Sequence, residues 1–188
     1  MKSVSNKSVW KGLSYLFSNL PKVEKWFHFV VVAWVIAQLL SSFGMHVHGD
    51  TPASALTLVD KFHMYSGIAL APISLIFFTL ILKRRTIATM YPWLFMDFAV
   101  IKQDIQSLFK LQLPDARPKG LAATVEGLGL LALLLAIATG LLWYVFFTRD
   151  GSAPFLLSIH KTAVGAIEAY FYGHAIFALL HLINWMRK

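Results

Sequence analysis

Residues 121–147 read LAATVEGLGLLALLLAIATGLLWYVFF, with Glu126 as the one charged side chain among them. A helix rises about 1.5 Å per residue, so this run crosses a hydrocarbon layer of about 30 Å with length to spare. Three further stretches meet the same length rule, at 26–44, 62–82 and 159–186. The whole chain of 188 residues is 57% apolar and only 14% charged, with a mean hydropathy of +0.64. That is more apolar surface than one compact core of this size can hide. The expected fold is an all-α integral membrane four-helix bundle, residues 26–188, preceded by an amphipathic segment over 1–25.

The only long connection, 83–120, lies between the second and third spans. Inside it Leu94, Phe95, Phe98, Ile101, Ile105, Leu108 and Phe109 recur at steps of mostly three and four, the pattern of an amphipathic helix lying on a membrane surface. The N-terminal segment sets Trp10, Leu13, Leu16, Phe17 and Leu20 among Lys2, Lys7, Lys11 and Lys22 and reads as a second such helix, ended by Pro21. The first span is expected to be retained rather than removed as a secretory signal. No internal repeat or low-complexity tract is visible, and the outer loops leave no room for a soluble catalytic domain.

Five of the 17 lysines and arginines precede the first span, seven lie between the second and third, and two follow the fourth. Only Lys61, Arg149 and Lys161 remain for the other two loops. The positive-inside rule therefore puts both termini and the long connection in the cytoplasm. The net charge of +8 is accounted for without a nucleic-acid face. With no cysteine in the chain, disulfides, thiolate zinc sites, cysteine-held iron–sulfur clusters and covalent c-type haem are excluded.

Histidine carries what chemistry remains. Of His28, His46, His48, His63, His160, His174 and His181, only His46 and His48 fall clearly outside the spans. An ionisable ring at membrane depth is costly and is usually paired and functional. His160 and His174 are fourteen residues apart, so they share a helical face about 21 Å apart in depth. Topology puts His63 at the level of His160, toward the outside, and His28 in the inner half with His174. Two facing imidazoles suit the axial positions of a b-type haem, whereas zinc generally takes three or four ligands. Gly67, Gly165 and Gly173 lie near these histidines, where a flat macrocycle needs small neighbours; small residues also serve plain helix packing in membranes.

The segments Trp26-Phe27-His28, Phe62-His63-Met64-Tyr65-Ser66-Gly67, Ile159-His160-Lys161 and Gly173-His174-Ala175 resemble the bacterial cytochrome b561 family and the related cytochrome b subunits of membrane-bound formate dehydrogenases and hydrogenases. The resemblance covers nearly the whole chain from Trp26 on. It implies a four-helix cytochrome b with two haems, ligated from the first, second and fourth helices, with fourteen residues between the two ligands on the fourth. Carried over by residue, His63 with His160 holds the outer haem and His28 with His174 the inner. His181, seven residues beyond His174, is the alternative to it. The resemblance extends to Leu113-Pro114 and Lys119-Gly120 after the surface helix, but the Asn and Gln that help form a quinone pocket in the relatives are replaced by residues 121–125, LAATV.

The function expected is electron transfer between the quinone pool and a periplasmic redox partner or small oxidant or reductant, alone or as the membrane subunit of a respiratory complex. A histidine-lined metal or proton transporter is the alternative. Lys61, Arg149 and Lys161 outside, and Lys25, Arg117, Lys119 and Arg187 inside, are candidate partners for haem propionates, the inner four serving equally as membrane anchors. Glu126 is either a proton carrier for an inner quinone or an interfacial acid. Glu168, midway between His160 and His174, is expected to be paired inside the bundle. His46 and His48 read as a solvated outer loop.

Overall fold

The computed structural model describes residues 9–18, 20–48 and 51–187. Lys2, Lys7 and Lys188 lie outside them. Seven helices follow in order: α1 Val9–Leu16, α2 Lys22–Ser42, α3 Leu58–Arg84, the single turn α4 Ile87–Met90, α5 Ala99–Phe109, α6 Leu121–Asp150 and α7 Pro154–Arg187. Among the described residues there is no strand. Four of the helices, α2, α3, α6 and α7, are long and apolar enough to cross a membrane.

Local chemistry fixes where these helices begin and end. Pro21 sits at the N-cap position of α2. Thr57 and Asp60 form a reciprocal capping box at the start of α3, and the buried Asp60 carboxylate also accepts the His46 backbone N–H at 3.2 Å, tying the α2–α3 loop to that helix. Gly151, at φ 76°, ends α6 in the left-handed region that glycine enters without strain. Pro154 then opens α7, where its missing N–H costs nothing.

The spanning helices pack in series, α2 on α3, α3 on α6 and α6 on α7. Leu70, Phe77, Ile81, Leu130, Ala136, Ala163 and Ile167 form the shared core. By contrast α7 meets α2 and α3 only sparsely. The bundle is therefore an open ring with a slot running along it between α2/α3 and α7. Large apolar side chains on the outside, Leu135, Val145, Tyr172 and Ile176 among them, face where lipid tails would lie.

The end of the bundle that carries α1 and the last turn of α7 also carries the long connection; we call it the terminal end, and the opposite one the hairpin end. The connection differs from the single surface helix expected of it. Met96 takes a left-handed conformation, φ 56°, which breaks the pattern into a 3₁₀ turn at Pro92–Phe95 and the helix α5. Leu94, Phe95, Phe98, Ile105 and Phe109 remain exposed, as a face resting on lipid requires. The other face is held to α6 by polar groups. Asp104, only 1% exposed, accepts hydrogen bonds from Arg117 Nη2 at 2.6 Å, Arg117 Nε at 3.1 Å and the Leu121 backbone N–H at 2.7 Å. It thus caps α6 from another element. Met90 and Tyr91 pack on Gly127, whose missing β-carbon would meet the Met90 carbonyl at 3.0 Å, and the Tyr91 hydroxyl donates to the Gly127 carbonyl at 3.1 Å.

Lys119 pairs with Asp97 at 2.9 Å, and its hydrogen bond and charge hold the Asp97 carboxyl below the usual range. A depressed carboxyl contributes above its unfolded pKa and is lost as pH falls through its folded one, so this tie belongs to neutral pH and is lost in acid.

Asp104→Ala leaves a buried N–H and a guanidinium without their acceptor and should destabilise the protein by about 2 kcal/mol. Denaturation in detergent measures this, and limited proteolysis should show earlier cutting of the connection.

Candidate functional site

Four histidines converge on the slot from three helices. At the hairpin end, His63 on α3 and His160 on α7 face each other with ring centres 6.4 Å apart. At the terminal end, His28 on α2 and His174 on α7 do the same at 6.3 Å. The two levels are about 21 Å apart by the rise between His160 and His174. Among the described residues His181 forms no such pair; it lies about 10 Å further along α7, half the distance between the levels.

Hydrogen bonding decides how the hairpin-end rings are presented. His160 Nδ1 lies 2.9 Å from the Ala136 carbonyl. A carbonyl only accepts, so Nδ1 carries the proton and the lone pair of the neutral ring is on Nε2. His63 Nδ1 lies 2.9 Å from Ser41 Oγ, and Ser41 gives its own proton to the Gln38 carbonyl at 2.9 Å. The Gln38 side-chain amide also reaches that Nδ1, at 3.2 Å, so the His63 ring is anchored through Nδ1 by two neighbours. A ring nitrogen anchored in this way on a neighbouring acceptor is the usual support of a metal-binding imidazole.

Between these rings lies a cavity of about 380 Å³, lined among others by His63, His160, Gln38, Gly67, Gly140, Gly165 and Glu168. Gly140 is the close approach: a β-carbon there would meet His160 Cε1 and Nδ1 at 3.1 Å, since the imidazole lies across the Ala136–Gly140 turn of α6. Around Gly165 the space is open. Lys161 lines this cavity and, with His48, Ser158 and Thr162, a second depression of about 520 Å³ beside it. Of the three basic residues at the hairpin end Lys161 thus stands at the site, while Arg149 is exposed and next to Asp150, 3.4 Å away, and Lys61 is on the exposed first turn of α3. His46 and His48 are exposed, with Val47 buried between them.

The terminal-end pair is framed by aromatic rings. Phe17, Phe29 and Phe77 stand 5.7, 5.9 and 6.2 Å from the His28 ring. Tyr170 stacks on His174 at 5.3 Å and 27°. Gly129 makes that stack possible, because a β-carbon there would be 2.5 Å from the tyrosine ring. The acids and bases nearby are paired: Glu24 with Arg84 at 2.7 Å, and Glu126 with Arg85. Glu126 is thus a hydrogen-bonded ion-pair partner at the start of α6. Arg117 and Lys119, expected as propionate partners, are engaged with Asp104 and Asp97. Glu168 lines the cavity and makes no ion pair among the described residues.

Reasoning from sequence missed Ser41, Ala136 and Gly140 at one level, and Phe17, Tyr170, Gly129 and Arg85 at the other. Gly140 sits in the same small-residue texture as the glycines singled out, but its relevance follows only from its register against His160. For Ser41 and Arg85 no signal short of tertiary structure was present.

A four-helix membrane bundle with imidazoles paired across a slot is the architecture of a membrane cytochrome b. The chain matches the family model of the prokaryotic cytochrome b561 over residues 19–186, and it belongs to that family. It is a membrane b-type cytochrome that works in electron transfer. No curated protein and no solved structure matches the chain.

Gly140→Val should crowd the His160 ring and lower the haem bound per chain. Haem quantitation of the purified variant, with the reduced-minus-oxidised spectrum, measures this.

Proposed function

We propose that the chain is a dihaem cytochrome carrying electrons across a bacterial inner membrane, between the quinone pool at its terminal end and a redox partner or small reactant outside. The observation that carries this reading is the pair of imidazole pairs. A metal bound between two facing imidazole nitrogens at about 2 Å from each puts the ring centres about 6 Å apart once each ring's half-width is added, which the 6.4 and 6.3 Å separations match. The rings anchored through Nδ1, the open slot and the glycine at its wall fit a flat macrocycle. Among the described residues no cluster of three or more metal-binding side chains occurs, which favours haem over a histidine-lined metal transporter.

Haem, when bound, would supply a one-electron iron couple. His63 and His160 would hold the outer haem, and His28 and His174 the inner. Ser41 and the Ala136 carbonyl anchor the outer pair of rings through Nδ1. Phe29, Phe77 and Tyr170 wall the inner ligands with apolar surface. Lys161 gives the outer mouth a positive charge, suited to a propionate or to an acidic partner surface. Glu126 and Arg85 stand near the inner level, partly exposed. A carboxylate held by a guanidinium there can pass a proton between water and a quinone without being buried as a bare charge. The basic residues of the termini and the connection put this end in the cytoplasm by the positive-inside rule.

Replacing His63 or His160 by Ala should remove the same haem, and replacing His28 or His174 the other, so each variant retains about one haem where the parent has two. Haem content and low-temperature spectra measure this; full occupancy with an unchanged low-spin spectrum in His174→Ala would transfer that ligand to His181.

Glu126→Gln should slow quinone-linked exchange with the inner haem about 100-fold, the ordinary scale for losing a proton-transfer group. Exchange of the outer haem with an outside reagent should stay within twofold. Stopped-flow spectroscopy on vesicles of known orientation separates the two half-reactions, and equal loss of both would mark structural damage instead.

A further inference from the structure

The slot between α2 and α7 has no spanning helix to close it, yet at its terminal end another element crosses it. Gly12 of α1 is buried against Leu182 and Trp185 of α7, with no room for a β-carbon. One turn on, Tyr15 stacks on Trp185 at 5.6 Å and 23°. Just past the end of α1 the chain reaches the opposite wall, where Phe17 packs on Phe29 at 5.0 Å and on the His28 ring at 5.7 Å. Trp10 points away and is exposed. The segment is thus fastened to α7 at one end and to α2 at the other, and of the three phenylalanines around His28, Phe17 alone comes from outside the spanning helices.

We propose that α1 is a strap closing the slot at its terminal end, and that Phe17 is a positioning residue for His28 that keeps water from the His28/His174 pair. This rests on the reading that those two histidines hold a haem. The apolar shell around a haem controls solvent access and with it the reduction potential. Water stabilises the more highly charged oxidised state, so opening the strap lowers the potential of the inner haem. The outer haem, about 21 Å away along α7, has walls that α1 does not touch.

The test is an equilibrium redox titration of purified, haem-loaded protein, followed in the visible region and resolved into its components, for the parent, Phe17→Ala, Phe17→Leu and Trp185→Ala. Phe17→Ala and Trp185→Ala, which release the strap from opposite ends, should both lower one potential and leave the other in place. Phe17→Leu, which keeps apolar bulk against the imidazole, should recover most of the shift. Loss of one haem from Phe17→Ala with the other retained at its parental potential supports the same role. Two haems with both potentials unmoved in Phe17→Ala would overturn it, as would equal shifts of both. A parent with a single haem, or a His28→Ala protein that keeps both components, would instead overturn the dihaem reading beneath it.

Discussion

An imidazole inside a bilayer has to account for both of its nitrogens, because there is no water to satisfy whichever one is left over. In the hairpin half of this bundle one nitrogen of each ring is taken by a neighbouring oxygen, the Ala136 carbonyl or Ser41 Oγ. The two rings then line one cavity from opposite sides, their centres 6.4 Å apart. On the proposed function, a metal held between them would satisfy the nitrogens left over. Much else in the fold serves to keep that gap from closing. α6 packs closely on both of its neighbours, whereas α7 stands off from α2 and α3, and Gly140 leaves the His160 ring room beside α6.

Such a slot has an energetic consequence. Helices in lipid gain little by burying apolar surface against one another, since lipid tails are equally apolar, and they associate through close packing and polar contacts. A bundle that leaves α7 unpacked on one side forgoes part of that packing and has to recover it elsewhere. The ties between loops and helix ends, with Glu24 on Arg84, Arg85 on Glu126 and Asp104 on the first N–H of α6, do this where water is within reach. A ligand that binds only the folded bundle adds to its stability by mass action, so a haem-filled slot is a structural member as well as a redox centre.

The fold was largely legible because the feature that decides it is local. Four apolar runs of spanning length, a lysine and arginine bias and a fourteen-residue histidine spacing need no tertiary knowledge, and they placed His28, His63, His160 and His174 at two common levels. What could not be read depends on partners far apart in sequence. Glu126 and Arg85 are separated by 41 residues and Asp104 and Leu121 by 17, and no periodicity announces either pairing. The surface helix was expected to run unbroken from Leu94 because hydrophobic spacing is blind to a single residue at positive φ, and Met96 carries no chemical sign of one. The N-terminal segment was read as lying on lipid by its amphipathic pattern; that Gly12 is the residue by which it seats on α7 depends on the shape of Leu182 and Trp185.

The two ends of the slot are built from different materials, and this bears on which chemistry each supports. At the hairpin end the rings are locked by directed hydrogen bonds beside a cavity with Lys161 at its edge, a rigid site with a charged mouth. Nothing there needs to move a proton for a simple electron exchange. At the terminal end the rings are held by aromatic surfaces, which exclude water without fixing hydrogen bonds, and the ionisable groups stand a short way off as ion pairs open in part to solvent. On the proposed function, electrons would pass through the ring-packed apolar surroundings and protons along the charged side chains at the interface. Such a division suits a quinone, which takes up both, and places proton-coupled chemistry at the end where the lysines and arginines gather.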